Sequence, residues 1–202
     1  MDKHTICLLN DSFPPIIDGV ANAVVNYAEN IEKHHGHAVV VTPAVPGADD
    51  SGFTLKEAVK EHLLKNGYDV TDVGTLSLDE PVVYYEVGRR VAKEVADKKF
   101  ERGLLFCGTG MGVNLVANKF PGVYCGLCES VFAAKKCRII NNCNVLAMGG
   151  FIVGPKMGIE MAEAFLNTDF SYGFDLATPE FLQNAVKEID QISADVLKEY
   201  SK

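Results

Sequence analysis

An α/β sandwich built on a mostly parallel sheet is expected of this chain, for two reasons. From Gly52 onward, amphipathic helical stretches alternate with short apolar runs, which is how a parallel sheet covered on both faces reads. In addition, the apolar run Leu104-Leu105-Phe106 ends on Cys107 and three alternating glycines, Gly108, Gly110 and Gly112, as expected where the carboxyl end of a strand feeds the next helix. The 202 residues fit one domain with room for an added unit, and a hydrophobic content of 48% is enough for a sizeable core.

Taken in order, residues 1–46 read as a strand (TICLLN), a helix (20–33) and a second strand (HAVVVTP). Pro43 and Pro46 then interrupt the run, because proline cannot donate to a ladder. Leu55, Val59 and Leu63 recur at helical spacing, and Gly67 supplies the stop. A strand is expected at 68–73, a helix at 83–98, and a buried strand at 103–107. A helix at 111–119, a strand at 123–127, a helix at 130–140 and a strand at 145–148 continue the alternation. Helices at 157–166 and 179–200 close it.

The formal net charge of −8 argues against nucleic acid and acidic membrane surfaces as partners, since both are held by basic patches. No apolar stretch approaches the ~18 residues of a membrane span. The six cysteines are expected as reduced thiols in a cytoplasm, because the start, MDKHTICLLNDSFPP, lacks the charged-then-apolar pattern of a secretory signal. Cys125-x-x-Cys128, with Cys137 and Cys143, resembles a zinc pattern on paper. However, VYCGLC reads as a strand whose alternating side chains point to opposite faces, and no histidine follows His62. No metal site is expected. His34, His35 and His37 read as surface loop residues, and His4 and His62 have no special context.

Chemistry concentrates at FCGTGMG. Gly108, Gly110 and Gly112 let the backbone turn tightly and approach a ligand, and the amides of residues 110–113 point outward at a helix start, where they stabilise negative charge. A cysteine beside that positive end can act as base or nucleophile, and Thr109 can bind the same ligand; the structural alternative is a buried thiol with glycines needed only for packing. Neither a G-x-G-x-x-G fingerprint nor a Gly-Lys-Ser/Thr loop is present, so nucleotide binding is disfavoured.

These residues carry a resemblance. CGTGMGVNLVANKFPGV, the Asn141-Asn142-x-Asn144-Val145-Leu146 segment, the turn at 149–154 and the segment ADDSGFTLKEAVKEHLLKNGYDVTDVGT together resemble the type-B ribose-5-phosphate isomerase and galactose-6-phosphate isomerase family, over residues 47–202. The resemblance implies a Rossmann-like three-layer α/β/α sandwich that interconverts aldose and ketose phosphates through an enediol, as a dimer or tetramer, without metal or organic cofactor. It implies Cys107 as the base, assisted by Thr109, with Asp49 contacting the sugar. Substrate contacts are implied for Tyr84, Gly108, Gly110, Met111, Gly112, Val113 and Asn114, and for Asn141 reaching in from a neighbouring subunit.

The chain also departs from that family. Ile140 stands where a ring-opening histidine is usual, Asp49-Asp50 replaces an Asp-His pair, Phe151 replaces an arginine, and DFSYGFDLATPEF lacks the family's phosphate-gripping arginines. Arginine's planar fork is not simply replaced by lysine; Lys119, Lys135, Lys136 and Arg138 remain as cations, read as solvated helix faces. The expected activity is isomerisation of a pentose or hexose phosphate of the ribose 5-phosphate or galactose 6-phosphate type. Because the site pattern is nearest to the B-type galactose-6-phosphate isomerase subunit, the alternatives are a non-catalytic or partner-dependent subunit of a hetero-oligomer and an isomerase of a smaller or unphosphorylated sugar. Residues 1–46 resemble the opening strand and helix of GT-B glycosyltransferases. They are expected to be a structural strand-helix-strand extension, because a lone segment cannot close two domains over a donor.

Overall fold

The computed structural model describes residues 6–9, 38–41 and 51–201. The chain divides into two compact units, Met1–Asp50 and Ser51–Lys202. In the first, β1 (Ile6–Leu9) and β2 (Ala38–Val41) pair in parallel with Ile6 opposite Ala38. The helix expected at 20–33, His34, His35, His37 and Asp49 lie outside the described residues.

The second unit begins with α1 (Ser51–Lys65), followed by α2 (Tyr84–Ala96), β3 (Gly103–Cys107), α3 (Met111–Ala117) and β4 (Cys125–Leu127). It continues through α4 (Val131–Asn141), β5 (Val145–Gly149), α5 (Pro155–Leu166) and α6 (Pro179–Tyr200). The sheet order is β3-β5-β4, all parallel, with Gly103 and Cys125 both opposite Val145. The central strand β5 is buried at every residue, and its alternation feeds two cores. Val145 and Ala147 join Ala92 and Val95 of α2 with Val113 and Ala117 of α3. Leu146 and Met148 join Leu55 and Val59 of α1 with Met161 and Phe165 of α5. Helices therefore cover both faces, giving the three-layer sandwich. Among the described residues no helix is long and apolar enough to cross a membrane.

Residues 68–73 form no strand, contrary to expectation. The apolar alternation is present, but a strand needs a ladder partner, and among the described residues this stretch has none. Its Asp72 instead accepts hydrogen bonds from Lys56 at 2.6 Å and Lys60 at 2.9 Å, which pins the segment to α1.

Candidate functional site

Cys107 is the last residue of β3. Its side chain packs against the α2/α3 core and is half-buried, neither sealed in nor fully exposed. The loop behind it turns because Gly110 adopts φ 75°, a left-handed conformation that costs an L-residue about 1–2 kcal/mol. A Cβ on Gly110 would also lie 2.5 Å from Leu127 Cδ1. That turn aims the Gly110 amide at Cys107 Sγ, 3.0 Å away, fixing where the sulfur sits. The Met111 amide donates to Thr109 Oγ1 at 3.3 Å. Among the described residues, the amides of Gly112 and Val113 have no acceptor.

The loop is clamped from two sides. Gly150 and Phe151 amides donate to the Cys107 and Gly108 carbonyls, both at 2.9 Å, and a Cβ on Gly149 would sit 2.5 Å from the Thr109 carbonyl carbon. On the other side, a Cβ on Gly52 would lie 2.6 Å from Cys107 Cα, so the start of α1 rests on the cysteine's main chain. Neither contact is visible in the sequence, because Gly52 and Gly149 are remote from Cys107 along the chain.

The other expected site residues are distributed unevenly. Tyr84 opens α2, and its ring lies on Gly112, where a Cβ would be 2.6 Å from Cε2. It stands edge-on to Tyr85 with ring centroids 5.4 Å apart. Met111 is exposed on α3, whereas the Val113 side chain is fully buried, so only its main chain can meet a ligand. Asn114 Oδ1 accepts from Asn118 Nδ2 at 3.1 Å, and Asn118 in turn ties α3 to Cys125 through hydrogen bonds of 2.9 and 3.0 Å. Asn141 ends α4, which runs back from the carboxyl end of β4 to the amino end of β5. One chain therefore leaves Asn141 at the end of the sheet opposite Cys107.

Arg138 corrects an expectation. Rather than lying on a solvated face it is buried, with Nη1 donating to Asn142 Oδ1 and, at 3.2 Å, to the Cys143 carbonyl. It closes the end of α4, where Asn142 turns left-handed, and burial lowers its pKa. Lys136 is half-buried, with Nζ 5.0 Å from the Phe174 ring centre and 5.6 Å from that of Phe132. Glu86 engages Arg89 and Arg90, whose hydrogen bonds hold its carboxyl at about 2. His62, which has no context in the sequence, meets Glu163 at 2.8 Å.

The other thiols of the second unit pack in the cores. Cys125 and Cys128 belong to opposite cores, as strand alternation requires. Burial pushes the Cys125 thiol up to about 12. A hydrogen bond with Cys137, then burial, raises Cys128. Among the described residues, no group of three or more His, Cys, Asp or Glu side chains is arranged to hold a metal ion.

The profile of the Ribose/Galactose Isomerase family matches residues 45–177. The chain is 45% identical over 152 residues to a 4-deoxy-4-sulfo-D-erythrose isomerase of Clostridium sp. (strain MSTE9), covering 75% of this chain and 96% of that one. It is 35% identical over 127 residues to a D-erythrulose-4-phosphate isomerase of Pectobacterium atrosepticum, covering 63% and 84%. Among solved structures, ribose-5-phosphate isomerase B from Mycoplasma genitalium with bound ribulose-5-phosphate superposes with a TM-score of 0.64 at 31% identity, covering 72% of this chain and 92% of that chain.

Proposed function

The chain belongs to the ribose/galactose isomerase family, and on that premise we propose that it interconverts the aldose and ketose forms of a short sugar bearing a terminal anion. Cys107 is the base. Its sulfur takes the proton from the carbon next to the carbonyl and returns it to the former carbonyl carbon, while a proton moves between the two oxygens. The intermediate enediolate carries negative charge on oxygen, and the loop's uncommitted main-chain donors, the amides of Gly112 and Val113 among them, stabilise it there. Thr109 assists, and Tyr84, Met111 and Asn114 border the sugar. Asn141 arrives from a second copy, since within one chain it lies at the far end of the sheet. The observation that carries this reading is the half-buried Cys107 sulfur at the sheet's carboxyl edge, oriented by the Gly110 amide at 3.0 Å. Its test is the loss of isomerisation in Cys107→Ser.

For the substrate, we propose a four-carbon sugar substituted at its fourth carbon by sulfonate or phosphate. Ile140 supports it. A tetrose closes a five-membered ring through the hydroxyl on its fourth carbon, and a sulfonate or phosphate at that position blocks the ring. Such a sugar reaches the site already open, so an apolar Ile140 in place of a ring-opening histidine loses nothing. The relatives named for sulfo-erythrose and erythrulose phosphate agree with that chemistry. The test measures deuterium exchange next to the carbonyl for 4-deoxy-4-sulfo-D-erythrose, D-erythrose 4-phosphate, D-ribose 5-phosphate and D-galactose 6-phosphate. Turnover of the two tetroses well above the ring-forming sugars is expected; equal or faster turnover of ribose 5-phosphate sinks the tetrose reading.

A second reading follows from Phe151 and the arginine-free segment 169–181. In it, this chain supplies the base half of a site completed by a different, A-type chain, and activity on the hexose phosphate emerges only after mixing the two.

A further inference from the structure

We infer that Lys136 is the residue that recognises the substrate's terminal anion, acting across a subunit interface. This rests on the reading above that Asn141 of one copy faces the reacting sugar held by Cys107 of another.

The proposed substrates carry a full negative charge at one end, so the site needs a cation. On α2 the arginines are already committed, Arg89 and Arg90 to Glu86 at 2.7 and 3.0 Å. On α1, Lys56 is held by Asp72 at 2.6 Å. Arg138 is buried at the end of α4. Among the described residues no carboxylate lies within 4 Å of the Lys136 ammonium, a property it shares with the exposed Lys119, Lys135 and Lys156; it differs from those three in being half-buried, with its ammonium over the rings of Phe132 and Phe174. Aromatic faces attract a cation without neutralising it. They also cover the alkyl stem and restrict its rotamers, so less entropy is lost when an anion binds.

The placement on α4 fits the same role. Phe132, Lys136 and Ile140 recur every four residues and share one helix face. Lys136 precedes Asn141 by five residues, about 7.5 Å of helix rise, which is comparable to an extended four-carbon sugar with its terminal group. Around the helix the two are about 140° apart, but Ile140, the neighbour of Asn141, shares the Lys136 face, so with this end of α4 at the reacting carbons Lys136 stands one turn further along that face, toward the distal end.

The test uses the full-length chain with Lys136→Gln, Lys136→Arg, Cys107→Ser and Lys156→Gln, the last removing an exposed lysine in the first turn of α5. The readout is kcat/KM for D-erythrose 4-phosphate and deuterium exchange into D-erythrose. In Lys136→Gln the ratio of phosphate-ester to free-sugar activity is expected to fall about ten- to a hundred-fold, the worth of a charge-assisted contact, and Lys136→Arg is expected to recover most of it. Co-refolding Lys136→Gln with Cys107→Ser is expected to restore activity on the phosphate, because each mixed pair contains one site with Cys107 from one chain and Lys136 from the other. An unchanged ratio, a selective loss in Lys156→Gln instead, or no recovery on mixing two folded variants overturns the assignment. Full activity in Cys107→Ser alone would refute the base, while the ratio in Lys136→Gln would still report on the lysine.

Discussion

Two sets of thiols in this chain have opposite environments. Cys107 sits at the sheet's carboxyl edge, half-buried, with a main-chain amide on its sulfur. Cys128, Cys137 and Cys143 meet beneath β4, close enough that a Cβ on Gly126 would lie 3.1 Å from Cys137 Sγ and 3.3 Å from Cys143 Sγ. Cys137 is pulled down by its hydrogen bond with Cys128 but pushed up by Cys143 and by burial, and ends at about 12. The same side chain is thus half-open at the carboxyl end of a strand in one place and core packing in the other, and its place in the fold decides which.

The largest expected effect separates these environments directly. Cys107→Ser should lower kcat/KM by about 100- to 10,000-fold, the usual contribution of a positioned base, whereas Cys128→Ser should lower it little once folding is accounted for. Steady-state kinetics beside a thermal melt checks both, and near-wild-type turnover in Cys107→Ser would erase the contrast. Thiol labelling sharpens it next. Iodoacetamide at mildly alkaline pH followed by peptide mass mapping should modify Cys107 well before Cys125, Cys128 or Cys137, which should react only after denaturant is added.

Smaller effects probe the supports. Gly149→Ala places a methyl group against the Thr109 main chain, and the forced shift should cost about 1–3 kcal/mol; because the displaced atoms belong to the loop that carries the proposed donors, activity should fall even where the variant remains folded. A variant matching wild type in both melt and turnover would show that the clamp is dispensable. Smallest is Asp72→Asn, at about 1 kcal/mol. Burial opposes ionisation of Asp72, but hydrogen bonds from Lys56 and Lys60 outweigh it and hold the carboxyl below its ordinary value. A depressed carboxylate contributes stability above its unfolded pKa of about 4 and loses it as pH falls through the lower folded value. The gap between wild type and Asp72→Asn in urea melts should therefore be full at about pH 7 and close below about pH 4; a gap independent of pH would assign it to packing.

Hydrophobic periodicity locates the helices of the second unit and the three strands of its sheet, because burial on both faces of β5 demands an unbroken apolar run. It fails at 68–73, where alternation is present but a ladder partner is not. It also misplaces Arg138, since spacing on a helix cannot say that the end of α4 folds over its own last turn. The candidate base is legible as a thiol at a strand end followed by glycines. The clamp is not, because Gly52 and Gly149 look like any other glycines until their neighbours are known.

Local order and the chemistry of one loop follow from the residue sequence, since both depend on near neighbours whose spacing is written there. Folding in three dimensions settled which side chains meet: Tyr84 over Gly112, Lys136 over two rings, and Asn141 at the end of the sheet opposite Cys107. Those arrangements join residues distant along the chain, and the packing that selects them has no signature in any short stretch of it.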